Sequence, residues 1–353
     1  MNIAFYLNKI SFGGGERVRL MLMDEFFKRG HTITIFTSNR EMLKSNLPHD
    51  IIVFKKSEKV NQHIFDIFKI GYELKKRKID CLILFGIVES FIISSFFIKT
   101  KSIVSLRVDP RFAKNKFVMR LRSEFCFLLS NGVVFQTEKV QRYFSKNARS
   151  KSVVIPNPII DDSLLIPKKD RKHKIVAVGR LSQEKNYPML IEAFSNIDHG
   201  DYTLHIYGEG PLRCNLNSLI LSLGMRNKVI LEGYVERVVD EISDAEIFVL
   251  FSNLEGMPNA LIEAMSMGLA CISTNFPSGA AEELIRNNEN GILVPVGDQK
   301  QLEKSISLLI NDKELCLKLR NNSPKVRDFL RKGIIINQWT SYIKQMMHYP
   351  NNL

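Results

Sequence analysis

The sequence predicts an α/β protein built of two doubly wound domains, and three observations lead there. Its 353 residues exceed what a single hydrophobic core ordinarily serves. Short β-branched runs alternate with amphipathic stretches along the whole chain, the pattern of parallel sheets covered by helices. The alternation is interrupted at Pro156-Asn157-Pro158 and the polar stretch from Asp161 to Lys174, which has the composition of a linker. Strands are expected at 2–7, 32–37, 51–54, 81–85, 102–106, 132–136 and 152–155 in the first half. In the second half they are expected at 174–179, 202–207, 228–231, 246–250, 270–273 and 291–294. The domains are drawn at 1–158 and 159–332, with a C-terminal helix in 333–353 that could pack back on the first. Doubly wound sheets bind ligands beyond the carboxyl ends of their strands, so two such domains facing across a cleft would line it with strand-to-helix loops.

Composition narrows the partners. The net charge of +13 is uneven: residues 1–165 carry 28 Lys/Arg against 15 Asp/Glu, and residues 166–353 carry 22 against 22. Such a field suits phosphates, anionic lipid or nucleic acid, although any single basic run is ordinarily a solvated face. The five cysteines are odd in number and widely spaced, which suggests neither a disulfide framework nor a metal cluster and fits a reducing cytoplasm. MNIAFYL enters a strand directly, without the basic region of a signal peptide. The stretch Cys81 to Ile98 is apolar enough to suggest a membrane span, but Glu89 and three serines interrupt it and Gly86 divides it.

The residues that can carry chemistry fall in the expected loops. Gly13-Gly14-Gly15-Glu16 follows the first strand and opens a helix, where backbone N–H groups can approach an anion; a tight turn without a ligand explains it equally well. It matches neither the dinucleotide fingerprint nor a Walker loop. In the second half, KIVAVG is followed by Arg180-Leu181-Ser182-Gln183-Glu184-Lys185, in which Arg180 and Lys185 could converge on a departing diphosphate or simply be two surface cations. Gly208-Glu209-Gly210-Pro211 and Gly233-Tyr234-Val235 follow two further strands and could wall a nucleotide pocket. The most informative segment is Glu255-Gly256-Met257-Pro258-Asn259-Ala260-Leu261-Ile262-Glu263. Pro258 suits a first helical position, leaving the N–H groups of Asn259, Ala260 and Leu261 to face a phosphate. Glu255 before the helix and Glu263 inside it could hold hydroxyls at two ends of an extended ligand; alternatively, one serves the helix dipole and the other a solvated face.

Together VGRLSQEKN, IYGEGPLR, the EGMPNALIEAMSMGLACIST block with its Glu-x7-Glu spacing, and NGILVPVGD resemble the retaining GT-B glycosyltransferases of glycosyltransferase family 4. The similarity spans essentially the whole chain and is most specific from Val176 to Val296. The resemblance implies the GT-B fold, two Rossmann-like domains facing across a cleft. It implies that Arg180 and Lys185 bind the donor diphosphate, that Glu255 contacts the donor sugar and Glu263 the ribose, and that Gly14-Gly15 lies near phosphate. Many members place a histidine beside the transferred sugar, where this chain reads Ser105-Leu106-Arg107-Val108-Asp109-Pro110, closer to members that extend bacterial surface or lipid-linked polysaccharides. Arg107 and Asp109 are therefore candidate catalytic residues, although Asp109-Pro110 also suits a plain turn.

The activity so implied is retaining transfer of a hexose or N-acetylhexosamine from a nucleotide diphosphate sugar, with a uridine donor expected at family level. With no evident protein nucleophile, a front-face displacement is expected, in which Arg180 and Lys185 stabilise the leaving diphosphate. No Asp-x-Asp motif accompanies them, so neither a metal nor a cofactor is expected. The acceptor is expected to be a lipid-diphosphate-linked glycan reached peripherally at the inner face of the cell membrane, with anionic lipid as partner of the basic first domain and no nucleic acid. In Lys114 to Leu129, Lys114, Lys116, Arg120 and Arg122 lie beside Phe117, Leu121, Phe125, Phe127 and Leu128, consistent with a basic amphipathic surface helix; taken alone, these apolar residues are expected to pack on the sheet. A nucleotide-sugar epimerase shares the architecture and would release a free isomerised sugar. A dehydrogenase would need the missing fingerprint. A nucleic-acid binder would account for the charge but not for the Arg-Lys and Glu-x7-Glu constellation.

Overall fold

The computed structural model describes residues 1–7, 14–37, 50–53, 63–107, 111, 113, 115–160 and 171–348. They form two compact units, one of residues 1–160 with 332–353 and one of residues 161–331.

The first unit contains strands β1 (Asn2–Leu7), β2 (Thr32–Thr37), β3 (Asp50–Val53), β4 (Cys81–Phe85), β5 (Lys101–Ser105), β6 (Gly132–Phe135) and β7 (Ser152–Val154). They form one parallel sheet in the order β3-β2-β1-β4-β5-β6-β7, with Ile3 of β1 opposite Ile33 of β2 and Cys81 of β4. Central strands such as NIAFYL and CLILF are apolar along nearly their whole length because helices cover both faces of such a sheet. The second unit repeats the plan with β8 (Lys172–Val178), β9 (Thr203–Tyr207), β10 (Val229–Gly233), β11 (Ala245–Leu250), β12 (Ala270–Thr274) and β13 (Ile292–Val294), all parallel, in the order β10-β9-β8-β11-β12-β13. In both sheets the chain moves outward one way and then returns to the other side of the first strand. The reversal lies between β1 and β4 in one unit and between β8 and β11 in the other, and there the loops separate and leave room for a ligand.

Four helices of the first unit matter below: α1 (Gly14–Lys28), α2 (His63–Lys76), α3 (Glu89–Phe97) and α4 (Lys116–Leu129). The apolar stretch considered as a span is β4 followed by α3, and among the described residues no helix is long and apolar enough to cross a membrane. Asn115 caps α4 by accepting from the Val118 N–H at 3.1 Å, satisfying one of the free donors at the helix start. The expected packing of α4 is corrected by the structure. Phe127, Cys126 and Ser123 face the core, whereas Phe117, Leu121, Phe125 and Leu128 point to solvent. At 100° per residue these two sets lie on opposite sides, so the helix is apolar on both, and a sequence count could not tell which stripe the sheet would take.

The C-terminal helix, Lys332–His348, packs in the first unit. Trp339 is fully buried against Phe85, and the Tyr342 hydroxyl accepts from the Val133 N–H at 2.9 Å and donates to the Lys151 carbonyl at 2.5 Å. A phenol so enclosed is held above its ordinary pKa by burial and stays a neutral donor.

Candidate active site

The carboxyl ends of β8 and β11 are neighbours in the sheet although some 70 residues separate them in sequence, and this adjacency assembles the site of the second unit. After β8 the chain passes through Gly179 and Arg180 into a short turn of 3-10 helix, Gln183–Lys185. After β11 it passes through Ser252 and Asn253 to Glu255. The loops are joined by the Asn253 N–H donating to the Glu184 carbonyl at 2.8 Å, and by the Asn186 amide donating to Asn253 Oδ1 at 3.3 Å. The largely buried Lys185 ammonium pairs with the Glu255 carboxylate, whose Oε1 also accepts from the Ser252 hydroxyl at 2.7 Å. Two residues expected to contact different parts of a donor thus neutralise each other here. Arg180 is exposed beside them. Tyr187 lies beneath the loop, its phenol pushed up by burial and by the nearby Glu255 and Glu184 carboxylates.

The helix after Glu255 runs from Asn259 to Ser266. Pro258 is its cap residue rather than its first helical residue, because its ψ of 104° is extended. The helix has no side-chain cap, and the N–H groups of Asn259, Ala260 and Leu261 occupy the positions that lack intrahelical acceptors. Met257 is buried, and the Gly256 carbonyl accepts from Ser278 Oγ at 2.8 Å, which fixes the approach to the helix. Glu263 is buried at 4% exposure, so the solvated-face alternative does not describe it. An uncapped helix start, a Lys–Glu pair and a buried glutamate therefore share one edge of the sheet, a combination suited to an anion bearing hydroxyl groups.

The remaining candidates of this unit divide. A Cβ on Gly208, whose φ is +144°, would fall 1.9 Å from the Gly179 carbonyl oxygen, and one on Gly210 would fall 2.4 Å from that of Leu181. Contact between neighbouring strand ends is sufficient to require both glycines. Glu209 is bound to Arg213 at 2.6 Å. The Tyr234 ring is largely exposed, with Val235 half-buried after it, both just beyond the end of β10.

In the first unit, Gly14 and Gly15 are the first residues of α1 rather than a loop, and Glu16 turns back to Arg19 at 3.0 Å. Arg107 follows β5; Asp109 lies outside the described residues. The guanidinium groups of Arg107 and Arg19 both lie over the Phe85 ring, at 5.0 and 5.7 Å from its centroid, and Arg107 also faces Trp339. Arg107 Nη1 donates to Asn157 Oδ1 at 2.5 Å, but Nε and Nη2 are sealed from solvent without a hydrogen-bond partner among the described residues. Burial, reinforced by the neighbouring Arg19 charge, lowers the Arg107 pKa to about 9. No motif or spacing marked Arg19, Phe85, Trp339 or Asn157 as members of this cluster. Asn157 in particular stands between the two prolines read as linker.

Residues 161–326 match the family model described as Glycosyl transferases group 1. Fold and matched segment together define the class as far as the architecture, the GT-B plan of two Rossmann-like domains with the matched segment in the second unit. Over nearly its whole length the chain is similar to a Campylobacter jejuni alpha-1,4-N-acetyl-D-galactosaminyltransferase named for a GalNAc- and diNAcBac-bearing PP-undecaprenol, at 28% identity over 98% of this chain and 99% of that protein. Among solved structures it is similar to the apo form of the lipopolysaccharide outer core galactosyltransferase WaaB, with a TM-score of 0.80 and 20% identity over 98% and 99% of the two chains. Anabaena HepE in complex with UDP gives a TM-score of 0.81 at 16% identity, over 98% of this chain and 100% of that one.

Proposed function

We propose that this protein is a glycosyltransferase that moves a hexose or N-acetylhexosamine from a UDP-sugar to a lipid-diphosphate-linked oligosaccharide. The observation that carries the reading is the meeting of the Arg180–Lys185 loop with the Glu255–Glu263 segment at the reversal point of a sheet whose domain matches group 1 glycosyltransferases. In this reading the donor diphosphate lies against the N–H groups of Asn259 to Leu261, Arg180 and Lys185. Lys185 then exchanges part of its contact with Glu255 for phosphate oxygen, and the released carboxylate accepts from a sugar hydroxyl. Glu263 accepts from the ribose.

The transfer proceeds with retention by front-face attack. The acceptor hydroxyl approaches as the anomeric C–O bond to the diphosphate breaks, its proton passes to the departing phosphate oxygen, and the cationic side chains stabilise the charge that accumulates there. These side chains and the helix start perform the role a divalent ion would otherwise have, so the reaction is metal-independent. Arg107 and Arg19 place positive charge at the carboxyl edge of the first sheet, which suits a phosphate of the acceptor, with Gly14 and Gly15 opening the helix beside them. The enzyme works peripherally at the cytoplasmic face of the membrane. Support for the acceptor class comes from the near full-length similarity to a transferase named for a PP-undecaprenol substrate.

The test is to incubate the protein with a panel of UDP-hexoses and UDP-N-acetylhexosamines and a diphospho-polyprenol oligosaccharide, following UDP release and product mass. Acceptor-dependent UDP release with a product one sugar heavier is expected. An isomerised sugar nucleotide formed without acceptor would replace the proposal with an epimerase.

A further inference from the structure

The first unit has an apolar outer surface that its own fold does not use. On α4, Phe117, Leu121, Phe125 and Leu128 recur at helical spacing on the side away from the sheet, with exposures of 70, 54, 47 and 57%. The helix is about 21 Å long at 1.5 Å per residue, so the stripe runs its whole length. Neighbouring α3 ends on Phe97, 73% exposed, and α2, packed on the other side of α3, presents Phe68. A row of large apolar side chains across three adjacent helices is unlike the exposed apolar residues of the second unit, among them Leu221, Tyr234, Leu308 and Phe329, which lie on separate segments.

Charge identifies the occupant. Residues 63–130 carry 13 Lys/Arg against 6 Asp/Glu. Lys116 and Arg120 flank the α4 stripe on one side, Arg122 on the other is held by Glu89 at 2.6 Å, and Lys99 follows Phe97. The side chains stand out from convex helices, a shape suited to entering a soft interface, with flanking cations long enough to reach headgroup phosphates. A cavity of about 740 Å³ opens at the lower end of the stripe, bordered by Phe97, Lys99 and Leu128. Because α4 follows β5, its first turn lies at the carboxyl edge of the sheet, the edge that carries Arg107.

We infer that the α2–α3–α4 face is a docking surface for an anionic lipid bilayer, with Phe117, Leu121 and Phe125 inserted among the headgroups and the bases paired with lipid phosphate. The inference rests on the proposed membrane-linked acceptor for its purpose but not for its test, which measures binding without turnover. The full chain is floated with phosphatidylcholine vesicles containing phosphatidylglycerol. The triple variant Phe117→Glu, Leu121→Glu, Phe125→Glu is expected to lose at least about tenfold in vesicle affinity, because apolar insertion and charge attraction are both reversed. Leu221→Glu, at an exposed leucine of the second unit, is expected to bind as the parent does. All variants are first shown by circular dichroism to melt as the parent does. Since a triple substitution can unfold a helix, Leu121→Trp supplies a second measurement that keeps the helix apolar. Its emission is expected to shift to the blue on vesicles and to be quenched by brominated acyl chains. Unchanged vesicle affinity in the folded triple variant, or a tryptophan blind to brominated lipid, overturns the inference. So does sedimentation showing that the face instead buries a second copy of the chain. Intact vesicle binding without sugar transfer would sink the proposed activity and leave this surface standing.

Discussion

Arg107 offers a test in which stability and activity should move in opposite directions. Its guanidinium stacks on Phe85 and donates to Asn157 through Nη1, while Nε and Nη2 are buried without partners among the described residues. The folded protein lowers its pKa from the ordinary arginine value to about 9 through burial and the Arg19 charge, so keeping it protonated opposes folding. At 1.36 kcal/mol per unit the shift corresponds to at most about 5 kcal/mol, and replacements of buried ionic groups by apolar ones typically recover about 1–4 kcal/mol. Arg107→Met should therefore stabilise the first unit. Its melting temperature is expected to rise by about 3–10 °C, at roughly 2–4 °C per kcal/mol for a unit of this size. The sign with pH follows from the lowered pKa. Below about pH 9 both folded and unfolded chains hold the proton and the cost is complete. Above it the folded protein releases the proton first, so the variant's advantage shrinks as pH rises toward the ordinary arginine value. If the charge is retained to meet a phosphate, the same variant should lose at least about tenfold in sugar transfer, since a hydrogen bond to a charged group contributes about 1.5–3 kcal/mol. Thermal melting by calorimetry and UDP release measure the two effects. A variant that melts lower than the parent, or one that transfers sugar equally well, refutes the reasoning.

Three further outcomes are expected. Glu263→Gln should weaken binding of both UDP and the UDP-sugar by about ten- to a hundredfold, whereas Glu255→Gln should weaken only the UDP-sugar and, by freeing Lys185, leave UDP equal or tighter. Calorimetric titration of each ligand checks this, and equal weakening of UDP by both variants would end the division of roles. Transfer should survive removal of divalent ions by chelator; loss restored by magnesium or manganese would assign the leaving-group charge to a metal. Gly208→Ala should lower the urea stability of the second unit by about 2–5 kcal/mol, because the new methyl meets the Gly179 carbonyl at 1.9 Å, while Gly200→Ala, in open space at φ +53°, should cost about 1 kcal/mol.

The fold was legible because its signals are local. Runs such as NIAFYL, KIVAV and IFVLF are apolar over strand length, and the helical patterns between them leave a parallel sheet as the consistent arrangement. Local spacing also placed Glu255 just before a helix and Glu263 within it. Periodicity was insufficient for α4, whose sequence carries apolar residues on two opposite faces and does not say which one meets the sheet. The glycines at 208 and 210 were visible as turn formers, but the backbone of a neighbouring strand end that requires them was not.

By itself the sequence determined the order of elements and the chemical types available at the strand ends, since these depend on side chains a few residues apart. Only the tertiary structure decided which strands became neighbours, and with that which loops met. The Lys185–Glu255 pair follows from β8 lying beside β11, and Arg107 meets Asn157 and Trp339 across 50 and more than 200 residues. The physical reason is that strand and helix propensities act along the chain, whereas the cost of burying Arg107 or pairing Lys185 is set by groups that arrive from elsewhere in the fold.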